Sequence, residues 1–273
     1  MNTSKRIVIS SYASGLGDTL CCSTLPEMYA RQGYEVFIGR PRVEHSMRNP
    51  ESKKLIWEMN PFVSGFVDEA GISFSHKEMH QHIWAQNDSI TLVEAMESLH
   101  GFKPAHRFPK IYYQPKWRPE FKETIFSDPT SISQTMRPEV FDSFIDHICR
   151  ARDYDKNKII VLSSNYSGRA GAEALAGNER LQVNDIFEYA DLIYSCALFI
   201  TSESGGAILA SAIRGTEPCP EIFSLFTNSG INDRLFQFRN VRYCSTGQMG
   251  GDFYVHPDVP MSNKKQVQRE LGY

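Results

Sequence analysis

The sequence predicts an α/β protein made of two halves, each alternating strand and helix. Two observations carry this reading. A β-branched apolar run opens the chain at residues 6–10 (RIVIS), and another opens the second half at residues 158–162 (KIIVL). Each is followed by a small-residue loop and then by helical periodicity, the pattern of a parallel sheet with crossover helices. The 273 residues are long for one α/β domain and short for two.

In the first half the loop at 11–17 leads into a helical pattern over 19–32, with Leu20, Thr24, Leu25, Met28 and Tyr29 on one stripe. Gly33 is the expected stop, and residues 34–39 (YEVFIG) the next strand. A short helix is expected over 55–59, ending before Pro61, with short strands over 62–67 and 72–74. Residues 91–100 read as a helix stopped at Gly101, 107–113 as the start of a strand, and 138–150 as a helix with Phe141, Phe144, Ile145 and Ile148 on one face. A polar stretch at 153–158 sets the expected domain boundary near residue 152. Beyond it, 158–162, 197–201 and 221–226 read as strands, and 183–194 and 207–214 as helices.

Small-residue turns after strands are where open α/β sheets bind ligands, because helix N-termini present free N–H groups and a positive dipole end. Ser202-Glu203-Ser204-Gly205-Gly206 is the first candidate for a diphosphate. The loop from Ser163 and Ser164 to Gly168 and Arg169 is the second, with Arg169 able to clamp a phosphate. Both also fit ordinary strand–helix connections. Gly15-x-Gly17 is not a dinucleotide fingerprint, since Leu20 stands where the third glycine belongs. Asp18 fits either a helix N-cap or a functional acid.

The segments in order resemble the heptosyltransferase-like glycosyltransferases of family GT9, within the wider GT-B enzymes. The resemblance rests on the strand at 6–10, the Gly15-Leu16-Gly17-Asp18 turn and Leu25-Pro26. It continues through Asn60-Pro61-Phe62-Val63, residues 106–113, and the run from Tyr189-Ala190-Asp191-Leu192-Ile193 to Ser204-Gly205-Gly206. It implies two Rossmann-like domains facing each other across a cleft: an acceptor-side domain at 1–152 and a nucleotide-sugar-binding domain at 153–273. It also implies Asp18 as general base, and a donor diphosphate held by Ser204, Gly205 and Gly206 with Glu203 in the same turn and Ser163, Ser164 or Arg169 nearby. Gly15, Gly17, Arg40 and Arg42 fall on the acceptor side. The implied reaction is inverting transfer from a nucleotide-sugar co-substrate, with no cofactor and no obligatory metal. Glu203 replaces the family's Asp in its D-[ST]-G turn, and Ile208 its downstream His, which argues against heptose as the sugar.

Other features bound the partners. The net charge of −3, from 29 basic and 32 acidic residues, excludes a global basic field for nucleic acid. The cluster Arg40, Arg42 and Arg48 is a solvated loop or a contact for a phosphorylated or nucleic-acid acceptor. Acceptors in view are a glycan, a lipid-linked saccharide or a modified DNA base. His76, His80 and His82 have a zinc-like spacing in a polar segment read as a loop, and exposed or acceptor-contacting histidines fit better than a metal. Trp57, Trp84 and Trp117 read as packing residues. The six cysteines form no CxxC pair and read as reduced, mostly buried thiols. No signal peptide and no transmembrane segment is read, so a cytoplasmic location is expected. Two other function classes remain open: a non-catalytic nucleotide-binding module of the same fold, and another Rossmann-like enzyme such as an epimerase or dehydrogenase.

Overall fold

The computed structural model describes residues 5–11, 13, 15–40, 50–85, 90–130, 137–164, 173–202, 204–213, 221–226, 238, 240–245 and 254–255. The chain divides into two compact units, Met1–Gln114 and Pro115–Tyr273.

The first unit carries a parallel sheet of β1 (Lys5–Ile9), β2 (Tyr34–Arg40) and β3 (Gly65–Ala70), in that order. The crossover from β1 to β2 holds two helices where one was expected: α1 (Leu16–Cys21) and α2 (Leu25–Arg31). Pro26 explains the break. It has no N–H, and its ring would meet the carbonyl four residues back, so it sits in the first turn of a new helix. Gly33 and Gly101, the two expected stops, take φ of +86° and +82°, left-handed values that cost a glycine little.

Between β2 and β3 the chain forms α3 (Pro50–Lys53), which widens into a π-helical turn at Lys54–Glu58 and buries Leu55, Ile56 and Trp57. After β3, Gly71 crosses beside β1. A Cβ there would lie 2.6 Å from the carbonyl carbon of Ile9. Ile72 then bonds to β1 as a single bridge rather than a strand. The histidine segment is a helix, α4 (His76–Ala85), not the expected loop. In α5 (Leu92–Leu99) Thr91 and Glu94 exchange a complete capping box, and Val93, Ala95 and Met96 are fully buried. Residues 107–113 are not a strand. They run as extended chain anchored by side chains: the Lys110 amide donates to Ser23 Oγ at 2.8 Å, and the Tyr112 hydroxyl to Glu27 at 2.8 Å.

The second unit begins ahead of the expected boundary near residue 152, because a strand absent from the sequence reading lies at its centre. This is β4 (Ile125–Asp128). Its sheet also holds β5 (Ile159–Ser164), β6 (Arg180–Val183), β7 (Leu198–Ser202), β8 (Glu221–Phe226), β9 (Arg242–Ser245) and β10 (Tyr254–Val255). Their spatial order is β10-β9-β8-β7-β4-β5-β6, all pairs parallel except β10 with β9. Counted from β4, the six parallel strands follow the doubly wound order 3-2-1-4-5-6. Helices α6 (Pro138–Arg152), α7 (Ile186–Ser195) and α8 (Gly205–Ile213) lie between strands. Phe141, Phe144, Ile145 and Ile148 of α6 are all buried, packed with Ile125, Val161, Ile200 and Phe223 of the sheet. Each such side chain contributes roughly 1.5–3 kcal/mol.

Candidate functional site

In a doubly wound sheet the chain leaves neighbouring strands toward opposite faces at one point, and the loops part there to leave a crevice at the strands' carboxyl ends. In the second unit that point lies between β4 and β7, paired from Ile125 with Leu198 to Asp128 with Thr201. The residues at its edge are Asp128, the last of β4, and Thr130 beyond it, with Ser202, the last of β7, and Ser204 beyond it.

Asp128 is buried and satisfied on both oxygens. Oδ1 accepts the Thr130 amide at 3.0 Å and the Thr130 hydroxyl at 2.6 Å, an Asx-type turn across Pro129. Oδ2 accepts the Tyr189 hydroxyl of α7 at 2.6 Å. Burial pushes the Asp128 carboxyl up, against the lowering by its bonds from Thr130 and Tyr189. Burial, and then the adjacent carboxylate, push the Tyr189 phenol far above its ordinary range. Across the crevice the Ser202 hydroxyl donates to the Thr130 carbonyl at 2.9 Å, which ties the two strand ends together.

Ser204 directly precedes α8. Its carbonyl accepts the Ile208 amide at 3.4 Å, and its hydroxyl accepts the Gly206 amide at 3.2 Å. The expected diphosphate turn therefore does stand at a helix N-terminus, with Gly205 and Gly206 as the first two residues of α8. Gly206 is needed sterically, since a Cβ there would lie 2.5 Å from the Tyr189 hydroxyl oxygen. Ser163 and Ser164 end β5, beside β4 and one strand removed from β7. Glu203 and Arg169 lie outside the described residues. The sequence reading gave no role to Asp128 or Thr130, named Tyr189 only within a motif run, and named Ser202 only as the first residue of the candidate turn. The only local signal was the Asp128-Pro129-Thr130 turn.

In the first unit Asp18 is not the N-cap. Gly15 caps α1 in extended geometry, without a side-chain bond, and Asp18 is the third helical residue. Its carboxylate folds back over Gly15, where a Cβ would sit 2.6 Å from Asp18 Oδ2. Thr19 Oγ1 donates to the Gly15 carbonyl at 2.9 Å and braces the same turn. Gly17 is in the first turn of α1 and half-buried. Arg40 ends β2 in an exposed ion pair with Asp68 at 3.1 Å. Arg42 and Arg48 lie outside the described residues.

Among the described residues no three His, Cys, Asp or Glu side chains converge as metal ligands, and no helix is long and apolar enough to cross a membrane. Cys21, Cys22, Cys149 and Cys196 are buried and form no disulfide among the described residues. Trp57 is a packing residue as expected, whereas Trp117 is 53% exposed and meets Tyr194 edge-on at 6.0 Å.

No protein-family model and no curated protein sequence matches the chain. Solved structures do. The chain is similar to a glycosyl transferase family 9 structure from Veillonella parvula, with TM-score 0.54 and 10% identity over 98% of this chain and 89% of that one. It is similar to the iron-containing dodecameric glycosyltransferase TibC of enterotoxigenic E. coli, with TM-score 0.60 and 14% identity over 99% and 74%. It is also similar to the E. coli heptosyltransferase WaaC with ADP, with TM-score 0.55 and 10% identity over 98% and 99%. The chain thus has a mixed α/β fold with parallel sheets that matches GT-B glycosyltransferases, as the ordered motifs predicted.

Proposed function

We propose that the chain is a glycosyltransferase that moves a sugar from a nucleotide-sugar donor to an acceptor hydroxyl. The observation that carries the reading is the switch point between β4 and β7, which sets Ser204, Gly205 and Gly206 at the N-terminus of α8. The fold shared along nearly the whole chain with glycosyltransferases supports it, as does the ADP in the WaaC structure. The donor diphosphate belongs at that turn. The α8 dipole and backbone N–H groups meet its charge, so an obligatory metal is not part of the proposal. The first unit takes the acceptor side, with Gly15, Gly17, Arg40 and Arg42 around it.

In the proposed step Asp18 removes the proton from the acceptor hydroxyl. The oxygen attacks the anomeric carbon from the face opposite the diphosphate. The bond from that carbon to the leaving oxygen breaks, and the diphosphate keeps the electron pair. The configuration inverts. Acceptors consistent with the reading are a glycan, a lipid-linked saccharide or a modified DNA base.

Thermal shift with UDP-, GDP-, ADP- and CMP-sugars tests the donor. A ligand at a hundredfold excess over Kd adds about 2.7 kcal/mol, enough to move the melting temperature by several degrees. Turnover of the stabilising donor then tests Asp18→Asn, which should bind normally and lose roughly 10²-fold or more in rate. The proposal fails if no nucleotide sugar stabilises the protein. Full turnover by Asp18→Asn removes Asp18 from its role. Binding without turnover in the wild type marks a non-catalytic nucleotide-binding module.

A further inference from the structure

We infer that Asp128 and Tyr189 are positioning residues: their buried hydrogen bond braces the turn after β4 against the first turn of α8, and so holds a diphosphate cradle in shape. The identity of the ligand rests on the transferase reading above, while the brace rests on geometry alone.

Five contacts close a circuit around the crevice. Asp128 Oδ1 takes both donors of Thr130, at 3.0 and 2.6 Å. Asp128 Oδ2 takes the Tyr189 hydroxyl at 2.6 Å. That hydroxyl lies directly against Gly206, where a Cβ would stand 2.5 Å away. Ser202 closes the circuit by donating to the Thr130 carbonyl at 2.9 Å. One phenol therefore touches both sides, the carboxylate on β4 and the backbone on α8. Both ends of its bond are buried, so losing either partner leaves a desolvated polar atom, and the fold resists that strongly.

The same arrangement solves an electrostatic problem. A carboxylate at the edge of an anion site repels the anion. Here three donors from the protein's own fold point at Asp128, which reduces the negative potential it directs at the crevice. Removing the Tyr189 hydroxyl uncovers one carboxylate oxygen and frees the first turn of α8. Small displacements of groups that position a ligand are costly, so binding of a diphosphate should register the loss more than global stability does.

The test is a double-mutant cycle with Tyr189→Phe and Gly206→Ala in the full chain. It is read by amide exchange at Thr130 and in the first turn of α8, and by saturation with inorganic pyrophosphate. Each single variant should speed exchange there about tenfold or more and raise the half-saturating pyrophosphate concentration by a similar factor. The double variant should do less harm than the two singles combined, because Phe removes the oxygen that an alanine Cβ would strike. Thr130→Val, which takes one donor from Asp128 at a half-exposed turn, gives a second route if a core variant fails to fold, and the same local loosening is expected. Additive effects with unchanged exchange overturn the brace. Failure of wild-type protein to bind pyrophosphate overturns its role toward a diphosphate. Pyrophosphate binding with coupled exchange but no turnover of any nucleotide sugar leaves the brace standing and removes the transferase reading.

Discussion

The hydroxyl of Tyr29 and Nδ1 of His100, 71 positions apart, share a hydrogen bond of 3.0 Å inside an aromatic cluster. Tyr29 meets Tyr34 and Phe102 edge-on at 5.7 and 4.7 Å, and the His100 ring meets Phe74 at 5.1 Å. The other ring nitrogen, Nε2, is buried and has no hydrogen-bond partner among the described residues. Burial accordingly lowers the His100 pKa to about 4.

A pH dependence follows. His100 is neutral in the folded chain and charges near 6.5 when unfolded, so its pKa is depressed on folding. Stability is fully present above pH ~6.5, falls as the unfolded state gains its proton, and levels off below about 4. The loss is at most about 3 kcal/mol, at roughly 1.4 kcal/mol per pKa unit. His100→Gln keeps an acceptor for Tyr29 and removes the titration. Melting temperatures of the two proteins should diverge between pH 6.5 and 4, and parallel curves refute the assignment.

Glu27 anchors the segment expected to be a strand. It is 2% exposed and pairs with Lys110, Arg31 and the Tyr112 hydroxyl. Burial raises its carboxyl pKa, but the bonds from Lys110 and Tyr112 and the charges of Lys110 and Arg31 outweigh that and lower it overall. Lys110→Met removes one of two cations from a buried carboxylate and should cost roughly 2–4 kcal/mol, less than a fully buried pair because Arg31 remains. Urea unfolding measures it. Because the Glu27 pKa is depressed, the pair's contribution is present above the unfolded pKa and disappears as pH falls through the folded one. The variant's deficit should therefore shrink in acid.

These long-range pairings explain what the sequence could and could not disclose. The βαβ start, the helix stopped at Gly101 and the α6 face were legible, because their signals lie within one or two turns of chain. β4 was not. Only Ile125 and Phe126 are apolar, Ser127 and Asp128 break the pattern, and its place comes from β5 and β7 pairing on either side. With β4 unseen, the boundary was expected later than the start of the second unit, and the turn after β4 went unweighed. The Ser204–Gly206 turn was legible as small residues after a strand. Its brace was not, since Tyr189 is 61 positions from Asp128 and reads as one apolar residue of a helix.

Gly71 should tolerate no side chain. Its Cβ would stand 2.6 Å from the Ile9 carbonyl carbon and 2.8 Å from the Ile9 Cα and N, all backbone atoms of β1. Backbone cannot swing aside as a side-chain tip can. Gly71→Ala should cost about 1–3 kcal/mol and loosen the Ile72 bridge to β1. Faster exchange of the Ser10 and Ile72 amides, which bond across that bridge, reports the loosening directly. An unchanged melting temperature and unchanged exchange would refute the close approach.

Gly15 offers the sharpest test of Asp18 short of replacing it. Its φ of −69° and ψ of 151° suit alanine, so the backbone need not move. The alanine Cβ would meet Asp18 Oδ2 at 2.6 Å, and the carboxylate at the end of its side chain is what must yield. Alanine is a poorer cap than glycine, which limits the stability cost to at most about 1 kcal/mol. If Asp18 is the base, a displacement of this size should lower turnover tenfold to a hundredfold, roughly the penalty for a misplaced catalytic group. Donor binding should not change, because the proposed donor turn lies in the other unit. The expected signature is a lower kcat with the donor's stabilising effect intact. Full turnover by Gly15→Ala beside an inactive Asp18→Asn would mean that Asp18 acts from another rotamer, and that the carboxylate folded over Gly15 is not the working one.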